Sequence, residues 1–418
     1  METTNNGDMN MNVLQRKHDV RDMKMDDNGN GFAYLNGNVD TNHRDDRKPA
    51  EIEGVLPASM FSQVFTCCLA GITFGFVLEK GRVFEPIIIQ DQMTFHRNVM
   101  LKMFLGAIAA SQFSFALLSL IPSTSSRVAL TRFTFMKRIG EKSVASAAVG
   151  GSLLGAGMAI SGACPGQILI QIGHGIPNSG ITFFGGCCGA LLYGITESYV
   201  SERTRPTKSY KVKKLDDVLA LPFVVSVMPV TVLLVAAIYA LEVIAPWKTE
   251  LYTPYNSNAT SLLTLNAWPP YLSGSLVGFL QIPMVLVMNK PLGSSSSYCT
   301  ISSRVFPAKM LQVISPYLYK ARSGMANWWQ VIYLSCAVGG AYYSAYLSDS
   351  IATAPGTSAL ASFTGGMVML YGSRMAGGCT CGHGLSGTGM LSLISFVAVP
   401  FMFVGGVSTA VTLSAING

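Results

Sequence analysis

Nine stretches of about twenty mostly apolar residues recur between positions 58 and 412, and that repetition restricts the fold more than any other feature of the chain. A helix needs about 20 such residues to cross the hydrocarbon core of a bilayer. Only elements that satisfy their own backbone hydrogen bonds persist there. The windows run 58–78, 99–121, 143–173 (interrupted), 181–200, 218–245, 269–289, 327–348, 358–386 (interrupted) and 388–412. They predict an all-α, polytopic protein whose first partner is the lipid bilayer. Only 12% of the residues are charged, against about 25% in soluble domains. So little polar surface cannot coat water-soluble cores of this size, which argues against a cytosolic enzyme or a nucleic-acid-binding protein. The nine cysteines are too sparse for a disulfide scaffold, and most sit inside apolar runs.

Charge divides the chain unevenly. Residues 1–54 hold 7 Lys/Arg against 11 Asp/Glu and contain no apolar run. They read as a disordered cytosolic tail and not as a signal peptide. Between the windows, the Lys/Arg counts are five (122–142), six (201–217) and five (290–326) on one side. On the other side they are three (80–98), none (174–180), one (246–268) and none (349–357). The positive-inside bias puts the first set and the N-terminus in the cytosol and the C-terminus outside, most simply at the plasma membrane. The Asn258-Ala259-Thr260 sequon then falls outside, as a glycosylation acceptor must.

The two halves also read alike. The first carries Gly155-Ala156-Gly157-Met158-Ala159-Ile160-Ser161-Gly162-Ala163-Cys164-Pro165-Gly166, and the second Gly372-Ser373-Arg374-Met375-Ala376-Gly377-Gly378-Cys379-Thr380-Cys381-Gly382. Both share a Gly-x-x-Met-Ala opening and a cysteine soon followed by glycine. Four windows (55–217), a linker helix (218–245) and four windows of opposite orientation (246–418) predict an inverted 4+1+4 repeat with two broken or re-entrant helices.

Pro and clustered Gly interrupt a helix in lipid only where the freed amides line a cavity or are buried in protein. Breaks in matching positions of the halves, at 162–166 and 377–387, point to a binding site near the midplane whose bare amides favour an anion. Gly162, Gly166 and Gly378 are the candidate backbone contacts. Gly150, Gly151, Gly155, Gly365 and Gly366 read instead as close-packing positions. Cys164, Cys379, Cys381 and Cys299 are candidate substrate contacts, because a thiol suits a sulfur-bearing ligand or a soft metal better than a hard oxyanion. Cys67, Cys68, Cys187, Cys188 and Cys336 lie in continuous apolar helix and read as packing. Arg374 is a candidate anion partner, with snorkelling as its alternative. His383 is a candidate donor or metal ligand, with a satisfied structural histidine as its alternative. Glu197, Glu242 and Asp349 fall near span ends, so no buried carboxylate pair is expected.

At Gly-Ala-Cys-Pro-Gly (162–166) and at Arg374 with Gly-Cys-Thr-Cys-Gly-His-Gly-Leu-Ser-Gly (378–387), the chain resembles the YeeE/YedE family of sulfur transporters, over roughly residues 58–412. Its best understood members look like thiosulfate permeases. The resemblance implies an inverted pseudo-symmetric fold with short helices meeting at an hourglass-like centre. It also implies that thiols at Cys164, Cys379 and Cys299 relay thiosulfate by transient S–H···S and S–H···O contacts. Many bacterial members carry a cysteine in the first half's loop segment, where this chain reads Gly81-Arg82-Val83-Phe84-Glu85-Pro86. The entrance on that side is therefore expected to differ.

The function expected is a permease, not an enzyme, that imports a small sulfur-containing anion, most simply thiosulfate, without a cofactor. A separate sulfurtransferase or sulfur-carrier protein would consume the import. The alternatives are a soft-metal (copper or zinc) transporter or sensor using Cys379-x-Cys381-x-His383 with Cys164, and an intramembrane thiol sulfurtransferase.

Overall fold

The computed structural model describes residues 58–140, 142–204, 213–255 and 261–417. The expected tail at 1–54 and the Asn258 sequon lie outside the described residues. Among the described residues regular structure is helical, apart from an isolated bridge between Lys214 and Ser392.

The principal helices are α1 Met60–Lys80, α2 Pro86–Met93, α3 Val99–Leu120, α4 Pro122–Gly140, α5 Val144–Ser161, α6 Gln167–His174 and α7 Ser179–Thr204. They continue with α8 Phe223–Ile244, α9 Pro270–Phe279, α10 Ser296–Ser302, α11 Met325–Leu347, α12 Ala359–Ala376 and α13 Leu393–Asn417. Hydroxyl caps set several starts. Ser59, Ser143 and Ser358 accept from the amides three residues on, at the heads of α1, α5 and α12.

Seven helical segments among the described residues are long and apolar enough to cross a membrane: α1, α3, α5, α7, α8, Pro270–Met288 and Leu393–Ile416. The chain is thus a multi-pass membrane protein, with seven such helices where the sequence predicts nine. Helices α11 and α12 form in the two remaining windows but are not among those seven. Polar residues explain the shortfall: Asn327, Gln330, Ser335 and Ser344 in α11, and Thr364, Ser373 and Arg374 in α12.

Helix pairs pack backbone to backbone. Helix α1 lies on α11, α3 on α9, α5 on both α12 and α13, and α7 on α12. A Cβ on Gly75 would fall 1.9 Å from the Ala337 carbonyl oxygen, and one on Gly155 would fall 1.8 Å from that of Met402. Small residues permit this approach, which in lipid replaces the hydrophobic effect as the source of helix association. The glycines read from sequence as packing positions behave the same way: Gly150 abuts the Ala376 amide and Gly366 the Thr182 carbonyl. Helix α8 carries a broad apolar exposed face, including Val232, Leu233 and Tyr239. It is tied inward by the Thr231 hydroxyl, which donates to the Gln112 side-chain oxygen at 2.9 Å.

Candidate functional site

The first interruption follows α5. Gly162 adopts a left-handed conformation (φ +60°), and a Cβ there would lie 2.5 Å from the Pro86 ring. Glycine is needed on both counts. The chain then runs through Ala163, Cys164, Pro165 and Gly166 into α6. Side-chain amides hold it in place: Gln167 donates to the Val83 carbonyl at 3.0 Å, and Gln171 donates to the Phe84 and Gly162 carbonyls at 2.8 Å each. The Tyr298 hydroxyl donates to the Pro165 carbonyl at 2.8 Å, which stitches the second half onto the first break.

The second interruption follows α12. Gly377 is left-handed (φ +89°), Cys379 is extended, and Thr380–Gly387 winds as a π-helix. Such turns concentrate at functional sites. The His383 ring packs over Gly378, where a Cβ would approach it to 2.9 Å. Its Nε2 lies 3.1 Å from the Ala376 carbonyl oxygen and its Nδ1 3.0 Å from the Ser395 hydroxyl. A carbonyl can only accept, so Nε2 carries the proton and Nδ1 accepts from Ser395. His383 is therefore engaged with the protein through both nitrogens. Replacing it with leucine strands two buried polar groups and should cost about 2–4 kcal/mol, read as a lowered unfolding midpoint in detergent, with His383→Gln recovering part of it.

The two breaks meet. Ser294, in the loop before α10, places its hydroxyl 3.1 Å from the Cys379 sulfur. A Cβ on Gly166 would lie 3.5 Å from the same hydroxyl and 3.7 Å from the Cys381 sulfur. Cys164 and Cys381 line one cavity of about 50 Å³, together with Gln167, Thr380, Phe74 and Leu385. That is room for a few water molecules, since one water needs about 10–15 Å³. Beyond Thr380, whose hydroxyl lies 3.6 Å from the Met158 sulfur, a second cavity of about 20 Å³ continues along Met100 and Phe104. On the other flank of Cys381, a crevice along Ser294 and Tyr333 leaves about 0 Å³.

Cys299 and Arg374 stand apart from this cavity. The Cys299 sulfur is 4.0 Å from the Tyr317 hydroxyl. The Arg374 Nε donates to that same hydroxyl at 2.8 Å, and Nη1 donates to Ser295 at 3.1 Å and Ser296 at 3.2 Å. Among the described residues Arg374 makes no ion pair, so its charge is held by neutral oxygens. Outside the spans, burial first and the nearby Arg138 charge second push the Lys290 ammonium down to about 8. Among the described residues no three His, Cys, Asp or Glu side chains are grouped to hold a metal ion.

Sequence reasoning missed Ser294, Thr380 and Gln167, since hydroxyl and amide residues are common in such chains and carry no spacing signal. It also missed a buried carboxylate pair: Glu79 and Glu85 are both 0% exposed, where none was expected. The reason is that the 81–85 loop folds inward and is covered by α6. The i,i+3 sequence Glu79, Arg82, Glu85 was the available signal, and Arg82 does contact both carboxylates.

Comparison with known proteins gives consistent results. A family model described as Sulphur transport matches residues 80–408. The thiosulfate transporter TsuA of Escherichia coli (strain K12) is 24% identical over 356 residues, covering 83% of this chain and 93% of that protein. The thiosulfate transporter TsuA of Spirochaeta thermophila is 23% identical over 359 residues, covering 82% and 96%.

Proposed function

The chain belongs to the Sulphur transport family, and we propose that it is a permease for thiosulfate or a closely related sulfur-containing anion, moving it inward where the two broken helices meet. It is a membrane transport protein and not an enzyme. The observation that carries the substrate reading is the convergence of Cys164, Cys379, Cys381 and Ser294, from both halves, at one narrow apolar place. An anion there would meet S–H and O–H donors and the amide of Gly166, whereas the Gly378 amide is taken by the Ser373 carbonyl at 3.0 Å. Its terminal sulfur would lie against the thiols. Each contact is weak, which passage requires, because a site that holds too tightly does not conduct. The closed crevice on the Ser294 side and the small cavity on the Thr380 side suit a constriction that loosens as the anion passes.

The packing supports an inverted repeat. Exchanging the halves turns the α1–α11 pair into α9–α3 and the α5–α13 pair into α12–α7, and it leaves α5–α12 unchanged. Each of these pairs is seen. Counting α11 and α12 as spans then restores the 4+1+4 scheme. Loop charge places the N-terminus inside, the C-terminus outside and α2 on the outer side, consistent with a plasma-membrane protein. The basic groups Arg138, Lys290 and Arg374 then ring the cytosolic mouth without carboxylates paired to them among the described residues, which favours an anion there. A separate sulfurtransferase or sulfur carrier would draw from this mouth.

The decisive experiment is uptake of labelled thiosulfate into proteoliposomes with sulfite, sulfate and selenium analogues as competitors. Saturable uptake inhibited by thiosulfate analogues and not by sulfate is expected. Sulfate competing as well as thiosulfate would remove the role of the thiols. The mouth also predicts a pH limb. Lys290 is charged below about 8 and loses that charge as the pH rises through it, so anion binding from the cytosolic face should fall above pH 8. The drop should be a few-fold, since one partly screened charge is worth about 1 kcal/mol or less. Lys290→Arg, protonated throughout, should abolish that limb in binding measured from pH 7 to 9.5 with inside-out vesicles.

A further inference from the structure

A second buried cluster lies at the outer end of α1. Glu79, Lys80, Arg82, Glu85 and His174 are each 0–1% exposed. Glu79 receives the Ser344 hydroxyl on one oxygen and the Ser350 hydroxyl on the other, at 3.3 Å for Ser350. Arg82 Nη1 stands 3.7 Å and Lys80 Nζ 4.0 Å from the same carboxylate. The His174 Nδ1 is 3.3 Å from the Glu79 oxygen, and among the described residues neither ring nitrogen completes a well-aligned hydrogen bond. This contrasts with His383, whose two nitrogens are both engaged. A buried imidazole whose nearest polar neighbour is a carboxylate can tighten that contact by taking up a proton.

We propose that Glu79 and His174 form a proton-binding site that couples anion import to inward proton movement. The proposal rests on the permease reading above. A divalent anion entering a cell moves against the inside-negative potential, so accumulation needs a co-moving cation. With imidazole neutral, the formal charges of Glu79, Glu85, Lys80 and Arg82 cancel. A proton taken from the outer water onto His174 converts the 3.3 Å approach to a charge-assisted hydrogen bond and adds one positive charge. It leaves to the cytosol once the anion has passed, so the only bond made and broken on the protein is the imidazole N–H, and the anion is carried unchanged.

The link to the passage is helix α6. His174 ends it, and Gln167, which lines the thiol cavity, begins it. The Phe84 ring lies 4.3 Å from the imidazole, centroid to centroid, while the Phe84 carbonyl is held by Gln171, which also holds Gly162 at the break. The charged groups facing His174 are Glu79 and Lys80 from α1, and Arg82 and Glu85 from the loop. Helix α11, packed on α6, brings Ser344 and has no charged residue, and Asp349 beyond it is exposed. Helix α7, also packed on α6, has its charged residues Glu197, Glu202 and Arg203 at its far end.

The test uses proteoliposomes containing a pH-sensitive dye, with the membrane potential clamped at zero by potassium and valinomycin. Adding thiosulfate outside wild-type vesicles should acidify the lumen, and an inside-alkaline gradient should speed uptake several-fold. His174→Gln should still carry thiosulfate downhill with no acidification and no response to the gradient. Wild-type uptake without acidification overturns the coupling and leaves the permease reading intact, whereas no wild-type uptake at all overturns the permease reading itself. Acidification by His174→Gln overturns the assignment to this pair. Should that variant fail to fold, Ser344→Ala decides: it removes a hydroxyl donor to the Glu79 carboxylate, so the pH profile of uptake should change, and a profile unchanged from wild type overturns the site.

Discussion

Cys379→Ala should reduce thiosulfate uptake by about fivefold to a hundredfold or more, by more than any accompanying loss of folded protein in the membrane. The sulfur is almost fully buried at 1% exposure and faces the Ser294 hydroxyl at 3.1 Å. Alanine removes the sulfur there and leaves the hydroxyl facing an apolar methyl. One hydrogen bond missing at a dry constriction is worth about 1–3 kcal/mol, which converts to about fivefold to 150-fold in rate. Cys164→Ala should behave similarly, because Cys164 lines the same cavity from the other half. Cys379→Ser separates two roles, since it keeps a donor and removes the polarizable atom. Retained sulfite but impaired thiosulfate transport in Cys379→Ser would assign the thiol to the terminal sulfur. Unimpaired uptake by both alanine variants would refute the relay.

Gly155→Leu should prevent folding of the protein altogether. A Cβ there would fall 1.8 Å from the Met402 carbonyl oxygen and 2.8 Å from the Gly406 amide, both backbone atoms that no rotamer change can move aside. Helix α5 would have to separate from α13 by more than an ångström. Overpacking costs about 1–3 kcal/mol even where side chains can adjust, and here the yielding element is a helix axis. The expected result is loss of the monodisperse peak in detergent size exclusion and no saturable uptake. Gly180→Ala is the control, because a Cβ at Gly180 meets nothing within 4 Å. A well-folded, active Gly155→Leu protein would contradict the close packing of α5 on α13.

Much of this was legible beforehand because a bilayer acts on local sequence. Backbone groups must be satisfied within each span, so apolar length alone located the helices to within a few residues, with α3 at Val99–Leu120 against a window of 99–121. The two interruptions were legible for the same reason, since Pro165 and Gly377-Gly378 cannot continue a helix. Where the reading fell short, the cause was non-local. Apolarity sufficient to span did not extend to α11 and α12, whose polar residues are tolerated because neighbouring helices pack against them. Arg374 was read as a candidate anion partner, and the structure adds that its guanidinium donates to Tyr317, Ser295 and Ser296, two of which precede α10 or open it. No pattern within α12 could have announced those partners.

The sequence by itself determined that this is a helical membrane protein with two broken helices carrying thiols, because helix continuity and partition into lipid depend on runs of neighbouring residues. Only the tertiary structure decided which thiols share a cavity, that His383 is engaged and His174 is not, and that Glu79 and Glu85 are buried. Those facts depend on residues tens to hundreds of positions apart, such as Gly166 with Cys381 and Glu79 with Ser344. Burial and hydrogen-bond satisfaction are properties of that assembled packing, and no segment carries them alone.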